Sequence, residues 1–88
     1  MNYSADYTKK LEKTLFKLRK RDIEQLKTIN KKLPQILSNP YRFKPLRNKM
    51  TGVRRVHIMK SFVLTFEIIK KDHVVRFLDY NHHDNIYG

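Results

Sequence analysis

Midway along this chain the apolar residues change their spacing, and that change restricts the fold more than any other feature. Tyr7, Leu11, Leu15 and Leu18 recur at helical intervals, drawing one stripe on an amphipathic helix that Ser4 is placed to cap. A second stripe, Ile23, Leu26, Ile29, Leu33 and Ile36 or Leu37, follows Asp22 and Gln25, which stand at capping-box spacing. The pattern predicts two antiparallel helices joined tightly at Lys20-Arg21, the second kinked or ended early by Pro34.

Beyond Ser38-Asn39-Pro40 and a basic connector, the period drops to two. Residues 52–59 alternate Arg55 and His57 with Val56 and Ile58. In the next segment, Phe62, Leu64, Phe66 and Ile68 oppose Val63, Thr65, Glu67 and Ile69. Residues 73–79 set Val75 and Phe77 against Arg76 and Leu78. Short intervening turns predict an antiparallel meander, with room for a short fourth strand at residues 1–3. The expected fold class is α+β, an N-terminal helical hairpin packed on a small three- to four-stranded sheet. One sheet face builds the core from Val56, Ile58, Phe62, Leu64, Phe66, Ile68, Val75 and Phe77. The other collects Arg55, His57, Thr65, Glu67 and Arg76, a platform suited to phosphate.

Eighty-eight residues predict a single domain, 1–88. A chain this short buries only about 60–65% of its unfolded surface, so the core is thin. It has no cysteine, no run with metal-ligand spacing, no apolar leader and no stretch approaching the ~20 apolar residues of a membrane span. The expectation is a soluble cytoplasmic protein without cofactor or membrane. Twenty Lys and Arg face eight Asp and Glu, a formal charge of +12. Such an excess repels itself unless a polyanion is a partner, and phosphates reward it through counterion release. The charge is concentrated between residues 41 and 60, where Arg42, Lys44, Arg47, Lys49, Arg54, Arg55 and Lys60 occur without one acid. Seven cations without an acid make a poor surface and a good anion site.

RNA can be cut without metal when its own 2′-hydroxyl attacks the adjacent phosphate. That requires a base, cations for the developing charge, and an acid for the leaving oxygen. His57, His73, His82 and His83 supply proton-transfer groups, arginine forks suit the phosphate, and Tyr87 stands in the tail. The few acids are scattered, unlike the clustered carboxylates of a two-metal nuclease. His73, beside a turn, is expected to face solvent, and Tyr80 is expected near the tail.

The order of elements, together with Lys44-Pro45-Leu46, the segment Gly52-Val53-Arg54-Arg55-Val56-His57-Ile58, the following Phe62-Val63-Leu64-Thr65-Phe66-Glu67-Ile68, and the tail His83-Asp84-Asn85-Ile86-Tyr87, resembles the RelE/ParE toxin superfamily. The likeness is to its RelE- and YafQ-like messenger-RNA interferases, and it spans nearly the whole chain. It implies a RelE-type, microbial-ribonuclease-like fold and a toxin that cleaves mRNA in the ribosomal A site without metal. It also implies contact with mRNA and rRNA there, and neutralisation by an acidic, partly disordered RelB-like antitoxin. By position, the resemblance makes His57 and His83 the proton-transfer residues. Arg54 or Arg55 would hold the phosphate, and Tyr87 would position the scissile nucleotide. From the acid-free basic segment, Lys44, Arg47 and Lys49 are expected to hold the RNA backbone, with Arg76 joining Arg54 or Arg55 on the phosphate. A one-residue shift of the tail selects His82 in place of His83. Two positions depart from the YafQ pattern: Lys44 stands for a histidine and Ser61 for an acid. Two other readings stay open: a ParE-like gyrase inhibitor, and a non-catalytic RNA- or ribosome-binding protein. Clustering of His57, His83 and Tyr87 on the Arg55 face would favour the enzyme.

Overall fold

The computed structural model describes residues 2–46 and 52–87, Tyr87 by its backbone alone. The chain runs β1 (Ser4–Tyr7), α1 (Lys9–Arg21), α2 (Ile23–Ser38), a 3-10 turn at Pro40–Arg42, β2 (Val53–Ile58) and β3 (Phe62–Ile69). A second 3-10 turn at Lys70–Asp72, then β4 (Val74–His82) and a short α3 (His83–Tyr87), complete it. The sheet order is β1-β4-β3-β2, with β2, β3 and β4 forming the expected antiparallel meander. The α+β class and the hairpin-on-sheet architecture are those the periodicities predict. No helix among the described residues is long and apolar enough to cross a membrane.

The fourth strand is real but displaced from residues 1–3. Ser4–Tyr7 pairs parallel to β4, matching Ser4 with Val74 and Tyr7 with Phe77. Tyr7 therefore belongs to the sheet and not to the first helix, and its ring stacks on Phe77 at 5.4 Å. The cap moves with it: Thr8, not Ser4, accepts the Leu11 N–H at 3.1 Å. Its own hydroxyl donates to the Leu78 carbonyl, tying the start of α1 to β4.

Asp22 alone separates α1 from α2. Its carboxylate accepts from the Gln25 backbone at 3.2 Å and from the Gln25 amide at 2.9 Å. Those hydrogen bonds hold the Asp22 carboxyl below the usual carboxylate range. Helix α2 continues through Pro34 to Ser38 instead of ending early. The reason lies beyond the proline: Ile36 is fully buried and Leu37 packs on the core, and that burial outweighs one missing backbone hydrogen bond. Ile23, expected in the apolar stripe, is exposed.

The core lies between the helices and one sheet face. Leu11, Ile29, Ile36, Val56, Ile58, Leu64, Phe66, Val75, Phe77 and Tyr80 form it, with Phe62 and Ile68 packed against its edge. Tyr80 is a core residue and not a free tail aromatic, and its hydroxyl donates to the Gln25 side-chain oxygen. Burial pushes the phenol up from its ordinary value of 10.0 to about 12. The folded state thus holds this proton more tightly than the unfolded state. Its stabilisation is complete below pH 10 and is lost as pH rises towards 12. Alkaline unfolding followed by circular dichroism shows that loss in the wild type, and Tyr80→Phe removes this component of it.

Candidate functional site

The face of the sheet opposite α1 and α2 is built by strand alternation. Across the sheet, Arg55 pairs with Thr65 and Thr65 with Asp79, while His57 pairs with Val63 and Val63 with Asn81. The connector adds to this face. The Leu46 N–H donates to the Val53 carbonyl at 2.7 Å, and the Arg55 N–H donates to the Lys44 carbonyl at 3.0 Å. Pro45 bridges Arg54 in antiparallel register. Residues 44–46 therefore lie along the outer edge of β2 and cover backbone that would otherwise be open to pairing. Alternation then puts Lys44 and Leu46 on the same face as Arg55.

Leu46, Val53, Val63 and Thr65 are buried outside the main core. They form an apolar floor under this face. Beside it, Leu46, Thr65, Leu78, Asp79, Asn85, Ile86 and Lys10 line a groove of about 360 Å³. Lys10 pairs with Asp79 at 3.2 Å at its rim.

Arg54 and Arg55, adjacent in sequence, have different work. Arg54 points to the helix side of the sheet. Its guanidinium donates to the carbonyls of Phe43 at 2.6 Å and Tyr41 at 3.2 Å, and lies 5.3 Å from the Tyr41 ring centroid. It clamps the connector, a structural task, so between the two arginines the open face carries Arg55. Arg54→Ala is expected to cost about 1–3 kcal/mol by leaving two carbonyls without their charged donor, measurable as a lower midpoint in urea.

The Arg55 guanidinium meets His57 Nδ1 at 3.3 Å. Arginine can only donate, so His57 Nδ1 accepts and its exposed Nε2 carries the hydrogen. Arg76 is on the predicted face but is not a free cation. It donates to Asp6 at 3.0 Å and to Glu67 at 3.4 Å, two partners that neutralise it. His73 departs from expectation more sharply. It adopts a left-handed conformation (φ 57°) at the turn before β4. Its ring stacks on Tyr3 at 3.7 Å, and its Nε2 is buried without a hydrogen-bond partner among the described residues.

The tail turns over the end of the sheet that carries the β2–β3 turn. Phe62 pairs with both Ile58 and His82, and the His83 N–H donates to the Ser61 carbonyl at 2.8 Å. Because strands lie about 4.8 Å apart, His57 and Asn81 sit about 10 Å from one another on the same face and at the same end. Asn85 donates to the Asn81 side chain at 3.0 Å and fastens α3 down. The rings of His82 and His83 stack at 4.9 Å, and that of His82 also meets Phe62 edge-on at 5.6 Å. His82 Nδ1 accepts the Asp84 N–H at 3.2 Å, and Asp84 Oδ1 lies 3.0 Å from His83 Nδ1. A carboxylate only accepts, so it favours the tautomer with hydrogen on His83 Nδ1 and a free lone pair on Nε2. Of these three imidazoles, only His83 then presents an outward nitrogen able to take a proton.

Asp84, named in the tail motif but given no role by the sequence, orients both tail histidines. The structure brings His57 with Arg55, and His82 with His83, to one end of the sheet; no hydrogen bond joins the two groups among the described residues. Arg47, Lys49 and the Tyr87 side chain lie outside the described residues.

A four-stranded sheet with α1 and α2 on one face and Lys44, Arg55 and His57 on the other defines a class of small, basic α+β proteins. The chain belongs to the ParE toxin family of type II toxin–antitoxin systems, whose model matches residues 5–87. It is a RelE-like toxin within the RelE/ParE superfamily. It is 46% identical over 85 residues to a candidate toxin, RelE4, of Methanocaldococcus jannaschii, covering 97% of this chain and 90% of that protein. The YoeB/ParE toxin of Agrobacterium tumefaciens has the same fold at 13% identity and a TM-score of 0.82, over 91% of this chain and 98% of that one. So does a free-state mutant of Escherichia coli toxin RelE, at 23% identity and a TM-score of 0.77, over 97% and 87%. The toxin–antitoxin complex RelBE2 of Mycobacterium tuberculosis contains the fold too, at 23% identity and a TM-score of 0.75, over 93% and 99%.

Proposed function

We propose that this toxin is an endoribonuclease that cuts mRNA in the ribosomal A site and is silenced by an acidic antitoxin. The observation that carries this reading is the presence of complementary roles at one end of the sheet. His83 there has a nitrogen free to accept a proton, and Arg55 and His57 offer outward donors. In the reaction, His83 Nε2 takes the proton of the 2′-hydroxyl as its oxygen attacks the adjacent phosphorus. The bond from phosphorus to the 5′-oxygen breaks, leaving a 2′,3′-cyclic phosphate and, once that oxygen takes a proton from water, a 5′-hydroxyl. Arg55 and the His57 Nε2–H stabilise the charge on the phosphate, with Lys44 on the flanking backbone. Arg47 and Lys49 keep the part their charge suggests, on RNA, and Tyr87 the part the resemblance gives it, at the scissile nucleotide. The net charge of +12 suits both rRNA and an acidic antitoxin, and E. coli relatives of this fold are known as RelBE and DinJ-YafQ complexes. The compartment is the cytoplasm, where its substrate is translated.

The test is a cell-free translation reaction in which new 5′ ends of the message are mapped. Ends at codon-spaced positions with wild-type toxin, absent without ribosomes, support the reading. Arg55→Ala is expected to slow their appearance about 10²–10³-fold. The matching family model is named for ParE, which favours one second reading, inhibition of gyrase by binding. An intact message with blocked DNA supercoiling would establish that reading instead.

A further inference from the structure

The tail places three metal-ligating side chains together. A ring nitrogen from His82, one from His83 and a carboxylate oxygen of Asp84 all lie within 4.8 Å of one another. His82 Nδ1 is 3.6 Å from Asp84 Oδ2, and His83 Nδ1 is 3.0 Å from Asp84 Oδ1. Donor atoms around a tetrahedral zinc ion, with bonds of about 2.0–2.2 Å, stand about 3.3–3.6 Å apart. Both contacts are close to that spacing, and the exposed Asp84 side chain can adjust. Two imidazoles and a carboxylate are also the donor set preferred by borderline ions such as Zn²⁺, whereas magnesium and calcium prefer oxygen alone.

We infer that His82, His83 and Asp84 form a binding site for a divalent transition ion of the zinc class, and that its occupation switches the toxin off. Ligation through the nitrogens that face Asp84 uses the Nδ1 lone pair of each histidine, and on His82 displaces the Asp84 N–H from it. On His83 this moves the ring hydrogen to Nε2, the nitrogen that otherwise receives the 2′-hydroxyl proton. The ion also adds positive charge beside that nitrogen. The metal is therefore an inhibitor that fixes the wrong tautomer, not a cofactor of cleavage. Phe62 supports the site by holding the His82 ring edge-on, and the Asn81–Asn85 hydrogen bond keeps α3 folded over the strand end. The inhibition rests on His83 acting as the base; the binding does not.

The experiment uses the full, tag-free chain and zinc alone as the probe. Calorimetry is expected to show one high-affinity Zn²⁺ per chain. Asp84→Ala and His82→Ala each weaken it about tenfold or more, while His57→Ala leaves it unchanged. Nitrogen NMR of the wild-type imidazoles is expected to show the His83 hydrogen moving from Nδ1 to Nε2 as zinc is added. No binding, binding indifferent to both tail substitutions, or an unchanged His83 tautomer would overturn the proposal. Failure of the chelator-treated toxin to cut mRNA would instead overturn the nuclease reading, leaving the calorimetric result standing.

Discussion

Replacing His83 with alanine is expected to lower the rate of ribosome-dependent cleavage by about 10²–10⁴-fold, the usual contribution of a positioned proton-transfer group. The folded state should scarcely change, because this side chain is substantially exposed and lies outside the core. His82→Ala separates the two alignments of the tail. If His83 is the base, His82→Ala has the smaller effect, because its Nδ1 is occupied by the Asp84 N–H and its Nε2 carries hydrogen. Asp84→Asn tests the orienting role. An amide can turn its NH₂ towards His83 Nδ1 and favour the opposite tautomer, so the rate should fall while substrate concentration at half-maximal rate holds steady. A His83→Ala toxin that cuts at the wild-type rate would exclude His83 as the base and return the choice to His57 or His82.

Much of the fold was legible because burial follows the two periodicities closely. Six of the residues assigned to the core from alternation, Val56, Ile58, Leu64, Phe66, Val75 and Phe77, are in it. What failed was local competition that a stripe cannot express. Tyr7 has helical spacing to Leu11, but a Phe77 partner across a parallel pair claims it for the sheet. Pro34 carries a breaker's penalty, yet Ile36 lies buried beyond it.

The site was legible in its residue types and less so in its partnerships. Alternation places Arg55, His57 and Arg76 on one face, but it is blind to Asp6, which arrives on a parallel strand and neutralises Arg76. It also cannot say that Arg54 is consumed by the carbonyls of Tyr41 and Phe43. The tail motif contains Asp84, but only the turn from β4 into α3 shows that its carboxylate faces two imidazoles at once. The same turn gathers ligand-type atoms of His82, His83 and Asp84 within 4.8 Å of one another, a grouping that sequence spacing does not show.

Phe66→Ala is expected to destabilise the protein by about 3–5 kcal/mol, the cost of a large cavity in a packed core. Small domains have total stabilities near the low end of about 5–15 kcal/mol, so the variant should be largely unfolded at 37 °C. Phe66 sits on the inner strand β3, fully buried, with Phe77 tilted beside it at 6.0 Å and Phe43 edge-on at 6.1 Å. The Phe43 contact gives the substitution a second consequence. Phe43 begins the connector whose carbonyls hold Arg54 and whose next residue, Lys44, is hydrogen-bonded to the Arg55 backbone. Loosening Phe43 therefore frees the edge of β2 on which Arg55 and His57 stand. At temperatures where some Phe66→Ala protein remains folded, cleavage per folded molecule should fall below wild type, whereas Val75→Ala, on β4 beneath the helices, should reduce the folded fraction alone. Equal activity per folded molecule in both variants would show that the connector does not position the site.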